Sequence, residues 1–141
     1  MSETSDEKTL AEAVDALADR FRAMPQSRLL GAVPGHPSRA AAGLALARRL
    51  AAAAQAAEAA RADGGASGGA IGGAEGVRPR ELPDAGAFAV GDQLAVVGHD
   101  LAAALAALPG DAVVPLPDGA ATAEAVRADA LRRLAETAAI V

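Results

Sequence analysis

Apolar residues recur every three or four positions near the start of the chain, which is the spacing of one face of an amphipathic helix. The series consists of Leu10, Val14, Leu17, Phe21 and Met24. Thr4 and Glu7 precede it at the spacing of a capping box. Pro25 follows it, and the residue before a proline avoids the α conformation. These signals predict a first helix over about residues 5–24.

A second helix is predicted over about residues 39–62, with Ser38 in position to cap it. Its main apolar face consists of Leu46, Leu50, Ala53 and Ala57. The opposite face is mostly alanine, together with Leu44, Arg48 and Gln55. Residues 25–38 carry turn signals such as Pro34-Gly35. We expect the apolar residues of this segment, Leu29, Leu30 and Val33, to lie against the helices as a flap or short turn.

The third and fourth helices are predicted over about residues 86–108 and 119–139. The third has the strongest stripe of large apolar residues, and Pro109-Gly110 ends it. This stripe consists of Val90, Leu94, Val97, Leu101, Leu105 and Leu108. The fourth helix aligns Ala123, Val126, Ala130, Leu134 and Ala138. Between them, AVVPLPDG (residues 112–119) is expected to be an extended connection.

Glycine dominates residues 64–76, GGASGGAIGGAEG, a composition typical of a flexible linker with little to bury. VRPRELPD follows it, and its two prolines favour an extended strap. We therefore expect a single helical domain over residues 1–141 that contains a disordered linker at 64–76.

The composition favours helices and a thin core. Alanine supplies 42 of the 141 residues, whereas Leu, Val, Ile and Phe together number 29. The only aromatic residues of the Phe, Tyr and Trp class are Phe21 and Phe88. Alanine has the highest helix propensity, and strands prefer the β-branched and aromatic residues that are scarce here. The predicted fold class is all-α, with four main helices in a bundle.

The charge pattern singles out the second helix. The chain has a formal net charge of −5, yet residues 25–62 contain five arginines against Glu58 alone. We expect this basic helix to pack between the acidic first and third helices; an anion-binding face is the alternative. The acidic balance and the scarcity of aromatic residues argue against nucleic acid. A regulatory DNA-binding module that uses Arg48 and Arg49 stays open as a further alternative.

The compartment is expected to be the cytoplasm. The start of the chain, MSETSDEKTLAEAVD, is acidic where a secretory signal is basic and then apolar. The most apolar windows are interrupted by charged and polar residues, so we expect no membrane span. Since the chain has no cysteine, disulfides and thiolate-bound metals are excluded.

His99 is the one candidate for catalysis. At 100° per residue it falls opposite the apolar stripe of the third helix, so it should meet solvent or a partner. Asp100 lies about a quarter turn from the stripe, so the two side chains should not form a dyad. The carboxylate of a Glu-x-x-His metal motif would occupy the position of Val96. We therefore expect no metal site.

The residues His99-Asp100-Leu101 resemble the start of the His-x-Leu-Lys-Gly pattern of histidine phosphotransfer domains. Ala102 and Ala103 stand where that pattern has lysine and glycine. The resemblance implies a four-helix bundle whose exposed histidine, here His99, carries a phosphoryl group.

Glycine inside a helix costs about 1 kcal/mol relative to alanine, so Gly91 and Gly98 indicate a closely approaching helix of this chain or of another subunit. Together with their neighbours they define the predicted interaction face, Gly91, Ala95, Gly98, His99 and Ala102. The expected function is that of a small cytosolic helical interaction or accessory protein without catalytic activity. Its expected partner is a protein or a second copy of the chain, and no cofactor is expected. A phosphocarrier using His99 is the first alternative.

Overall fold

The structure, a computed structural model, describes residues 9–65 and 81–141. Over these ranges it contains five helices and one two-stranded antiparallel hairpin. The helices are α1 Leu10–Ala23, α2 Gln26–Leu29, α3 Arg39–Gly65, α4 Val90–Ala106 and α5 Ala123–Ile140. The strands are β1 Val113–Leu116 and β2 Gly119–Thr122, and a 3-10 turn, Ala87–Ala89, leads into α4. The predicted helical class is confirmed. The predicted linker lies outside the described residues from residue 66 onward.

Helix α1 begins later than predicted because a second capping box stands next to its apolar face. The Thr9 hydroxyl accepts a hydrogen bond from the Glu12 amide at 3.1 Å, and the Glu12 carboxylate accepts one from the Thr9 amide at 2.9 Å. These two bonds satisfy backbone groups that the first turn leaves unpaired. The alternative pair, Thr4 and Glu7, lies outside the described residues. All five apolar residues of the predicted face are buried.

Helix α3 is buried on more sides than predicted. Leu44 and Ala47, which lie away from the predicted face, are buried, because α3 packs against α4, α5 and β1. Ser38 caps this helix as expected, since its hydroxyl accepts a hydrogen bond from the Ala41 amide at 3.0 Å. Ala45, which also lies away from the predicted face, stays exposed, so the side opposite that face is only partly covered within the chain.

Helices α1 and α4 run in opposite directions. As the positions rise from Asp15 to Arg22 on α1, their partners fall from His99 to Asp92 on α4. The predicted α4 stripe is buried from Val90 to Leu105, and Leu108 beyond the helix is half-buried. This stripe forms the centre of the core.

Helix α3 runs parallel to α4 and antiparallel to α5. Gly43 lies against Val90, at the start of α4. The Arg39 Nε donates to the Val141 carbonyl, just beyond the end of α5, at 3.2 Å. Of the predicted strap, residues 81–84 are described, and Arg48 Nε joins them to α3 by donating to the Leu82 carbonyl at 2.9 Å.

The β-hairpin occupies the segment predicted as an extended connection. β1 and β2 pair from Val113 with Thr122 to Leu116 with Gly119, and Val114 is buried against the helices. This hairpin was not predicted, and it moves the start of the last helix from residue 119 to Ala123. Gly119 has a φ of 136°, which is incompatible with a helix, and the Thr122 hydroxyl caps α5 by accepting from the Ala125 amide at 3.1 Å.

The flap before α3 is partly as predicted. Leu29 is buried at the end of α2, and Val33 is half-buried. The backbone of Val33 bonds that of His36 across the Pro34-Gly35 turn. Leu30, however, is 54% exposed, so the expectation that it lies against the helices is wrong.

Candidate functional site

His99 has a partner from α1 and not from its own helix. Its Nε2 lies 2.7 Å from the Asp15 Oδ1, and the two side chains are 48% and 55% exposed. The neighbouring Asp100 instead faces the cleft that also contains Glu58, between α3 and α4. The absence of a His99–Asp100 dyad was predicted, but Asp15 was missed, because it lies 84 positions away. The carboxylate holds one ring nitrogen, which fixes the ring's orientation and favours one tautomer.

The predicted interaction face lies largely under α1 of the same chain. A Cβ atom at Gly98 would fall 2.5 Å from a Val14 methyl carbon, and one at Gly91 would fall 2.9 Å from the Ala18 carbonyl oxygen. The other members, Ala95 and Ala102, are half-buried, and only His99 is exposed. The close packing that the two glycines indicate is thus internal. Of the two alternatives, a helix of this chain or of another subunit, the contacts at Gly91 and Gly98 are with α1 of this chain.

Neither His36 nor His99 belongs to a cluster of described side chains that could hold a metal ion. Within residues 9–65 and 81–141, no group of three or more His, Cys, Asp or Glu side chains could hold a metal ion. His36 occupies the turn before α3, as its flanking glycine and proline suggest.

A groove of about 670 Å³ separates α3 from α5, with the hairpin along one side. The largest apolar side chains that line it are Leu50, Leu116 and Val126. Alanines from both helices and from β2 form much of the remaining wall, so neither helix fills the space with a large side chain. We call this space the α3–α5 groove.

Five charged side chains line the α3–α5 groove, namely Arg48, Arg49, Asp118, Asp129 and Arg133. Arg49 Nη2 lies 3.2 Å from the Asp118 Oδ2 at the hairpin tip. Arg133 Nε lies 2.7 Å from the Asp129 Oδ2 on the same helix. Arg48 is held by the Leu82 carbonyl, which carries no net charge. The lining of the groove therefore has one more positive than negative group.

Asp129 is the most constrained carboxylate of the groove. Partial burial alone would raise its pKa, but hydrogen bonds from Arg133 and from Arg132, which lies outside the groove, outweigh that effect. The pKa of Asp129 consequently lies below its ordinary value. Asp129 is thus a charged, doubly bonded part of the α5 surface.

A second, apolar groove of about 540 Å³ lies between α1 and α5. Leu17, Leu131 and Leu134 line it together with alanines. Arg20 stands at its edge, where Nη1 donates to the Ala138 carbonyl at 3.0 Å. This bond ties α1 to the last turns of α5.

One end of the bundle carries exposed apolar side chains. Phe88, in the 3-10 turn, is 68% exposed, and Leu30, directly after α2, is 54% exposed. The 3-10 turn and α2 contact each other. We call this region the Leu30–Phe88 end. It lies where α1 ends and where α3 and α4 begin.

Comparison of the chain with protein-family models, with curated proteins and with solved structures finds no match. In the described part of the chain, no helix is long and apolar enough to cross a bilayer.

Proposed function

We propose that this chain is a small helical interaction protein that associates with a second copy of itself through the Leu30–Phe88 end. The observation that carries the proposal is the exposure of Phe88. Phe21, the only other large aromatic residue, is buried between helices, whereas Phe88 faces solvent.

The exposure of Phe88 matters because the core is thin. Burying a phenylalanine side chain contributes about 1.5–3 kcal/mol, and alanine can replace little of that. A chain with 29 large apolar residues of the Leu, Val, Ile and Phe class has few to spare. Aromatic side chains are enriched in the well-packed centres of protein interfaces. Contact with another molecule would bury both Phe88 and Leu30.

A two-fold dimer is the simplest association for such a surface. In a two-fold interface the same patch meets itself, so one apolar end is sufficient to cover its counterpart. Leu30 and Phe88 lie outside the α-helices, Leu30 directly after α2 and Phe88 in the 3-10 turn directly before α4. Action in the cytoplasm is part of the proposal and would be tested by fractionation of the native host. The proposal contains no catalytic step and no cofactor.

Light scattering coupled to size exclusion tests the proposal. The wild-type chain should show the mass of a dimer at tens of micromolar, and Phe88→Ser should show a monomer at the same concentration. Val96→Ser is the matched control, since Val96 is 61% exposed on α4, about two helical turns beyond the 3-10 turn. A monomeric wild type would refute self-association, and so would a dimer that survives both Phe88→Ser and Leu30→Ser.

The two alternative functions have less support. His99 contacts the acidic side chain Asp15, and Asp100 adjoins it, so the local charge disfavours an incoming phosphoryl group. For DNA binding, Arg48 and Arg49 share their groove with Asp118 and Asp129 in a chain of net charge −5. They therefore do not form the extended basic face that a phosphate backbone requires. Neither alternative uses the Leu30–Phe88 end.

A further inference from the structure

We propose that the α3–α5 groove binds a small amphipathic anion, a carboxylate attached to an apolar body. This inference is independent of the proposed self-association, because none of the groove's lining residues belongs to the Leu30–Phe88 end. It develops the anion-binding alternative that the basic charge of the second predicted helix leaves open.

The size of the groove suits a small organic molecule. Its volume of about 670 Å³ lies within the roughly 300–1,000 Å³ of ordinary ligand sites. The hairpin lines one side of the groove, and Arg49 joins it to α3 through Asp118. The volume is therefore bounded on three sides, by α3, α5 and the hairpin, as in a site for a compact ligand.

The apolar surface of the groove can hold a hydrocarbon body. Leu50 and Val126 are buried at its base, and Leu116 from β1 is half-buried at its side. Around them, alanines such as Ala53 and Ala125 expose methyl groups without filling the space. A ligand of several carbon atoms would remove this apolar surface from water and gain affinity from doing so.

The charges of the groove select a monoanion. Three arginines face two aspartates, and Asp129 is already bonded to Arg133 and to Arg132 outside the groove. In the described part of the chain, Arg48 donates to the Leu82 carbonyl and forms no ion pair, so no carboxylate neutralises its positive charge. One bound carboxylate would balance the excess charge.

Arg49 provides the second cation for the same carboxylate. Its side chain follows Arg48 on α3, and its contact with Asp118 is a single one between half-exposed groups. Such a pair contributes little stability and can rearrange. Arg49 can therefore turn from Asp118 toward a ligand, since an arginine fork binds a carboxylate in a planar, two-bond geometry.

The test is an NMR titration of the full-length chain with three probes of equal chain length. Octanoate is the anion, 1-octanol its neutral counterpart and octylammonium its cationic counterpart. We expect octanoate to shift the amide signals of residues 45–53, 116–121 and 125–133 and to bind at least about tenfold more tightly than either counterpart. Equal affinity for the three probes, or octanoate shifts confined to other regions, would overturn the proposal.

Single substitutions test the charged part and the apolar part of the proposed site separately. Arg48→Ala and Arg49→Ala should each weaken octanoate binding at least about fivefold, because a charge-assisted hydrogen bond is lost. Ala125→Leu should weaken it similarly by filling the groove, and Ala125 is exposed, so folding should be preserved. Arg127→Ala is the matched control, since Arg127 is an exposed arginine of α5 outside the groove.

If Arg48→Ala and Arg49→Ala bind octanoate as tightly as wild type, these two arginines do not hold the carboxylate. Groove signals that shift with protein concentration in the absence of any probe would show that a second copy fills the groove, and this too would overturn the proposal. A proton spectrum with native dispersion for each variant shows that lost binding is not lost folding.

Discussion

Replacement of Gly98 by alanine tests the contact between α1 and α4. Helix propensity alone favours the change, because alanine is about 1 kcal/mol better than glycine inside a helix. The packing opposes it, because the new Cβ would lie 2.5 and 2.6 Å from the two methyl carbons of Val14. Ordinary carbon contacts are about 3.5–4.0 Å, so each distance is short by about 1 Å.

Val14 cannot easily relieve this clash. It is fully buried, and a valine in a helix has one strongly preferred rotamer, so α1 itself would have to move. Overpacking of this kind costs about 1–3 kcal/mol. The clash should therefore cancel the gain in helix propensity. We expect the Gly98→Ala variant to be between equal to wild type and about 2 kcal/mol less stable.

A double-mutant cycle separates the two effects. In a Val14→Ala background both methyl carbons are gone and the remaining Cβ lies at 3.1 Å, a contact that a shift of a few tenths of an ångström relieves, so Gly98→Ala should stabilise by up to about 1 kcal/mol. Urea denaturation followed by circular dichroism gives the four free energies of unfolding. Ala103→Gly, at an exposed position of α4, calibrates the propensity in the same helix. If Gly98→Ala stabilises the wild type and the Val14→Ala background equally, α1 does not pack on Gly98.

Three other substitutions probe the core, the α5 charges and the histidine. Leu101→Ala should lower the free energy of unfolding by about 2–5 kcal/mol, because Leu101 is fully buried in the α4 stripe; an unchanged urea midpoint would contradict this. The lowered pKa of Asp129 adds stability above its ordinary pKa of 3.8 that is lost as the pH falls through the lowered value. In the Asp129→Asn variant, the free energy of unfolding should therefore fall less steeply as the pH is lowered through the acid range. An unchanged pH dependence would argue against the bonds from Arg133. His99→Gln should change stability by less than about 1 kcal/mol, because its pair with Asp15 is half-exposed. Acid-labile phosphate on the wild type but not on His99→Gln would reverse our preference and favour the phosphocarrier.

The helices with large apolar residues are the part of the fold that can be predicted from sequence. On α1 and α4 the large side chains stand at one helical spacing with polar residues elsewhere, so the buried face is evident before any neighbour is known. Helix α3 is different, because alanine occurs on all its sides and the neighbours decide which alanines are buried. Ala47 is completely buried although it lies away from the predicted face, and no stripe distinguishes it from the exposed Ala45.

The hairpin was missed because β2 has little strand propensity of its own and a proline interrupts β1. β2 reads Gly-Ala-Ala-Thr, and β1 contains Pro115. The hairpin is stabilised by tertiary packing, because Val114 is buried against α3. The Pro117-Asp118-Gly119 sequence between two apolar stretches is a turn signal that could have indicated the hairpin.

The candidate sites depend on pairs that are distant in sequence. Asp15 joins His99 across 84 positions, and Arg49 joins Asp118 across 69. The sequence pattern shows that the second predicted helix is basic, but it does not show which neighbouring elements its arginines face. Phe88 falls within the predicted third helix but off its apolar stripe, and the structure places it in the 3-10 turn before α4, where it is 68% exposed.

The most direct test of the central claim, that the chain associates through the Leu30–Phe88 end, is a dilution series followed by aromatic proton NMR. The chain contains two phenylalanines, two histidines and neither tyrosine nor tryptophan, so the two phenyl rings can be resolved and assigned with Phe88→Ser. We predict that the Phe88 ring signals shift as the dimer dissociates, and by more than those of Phe21, which is buried within the chain. Phe88 signals that do not change with concentration, in a chain that nevertheless self-associates, would contradict the account.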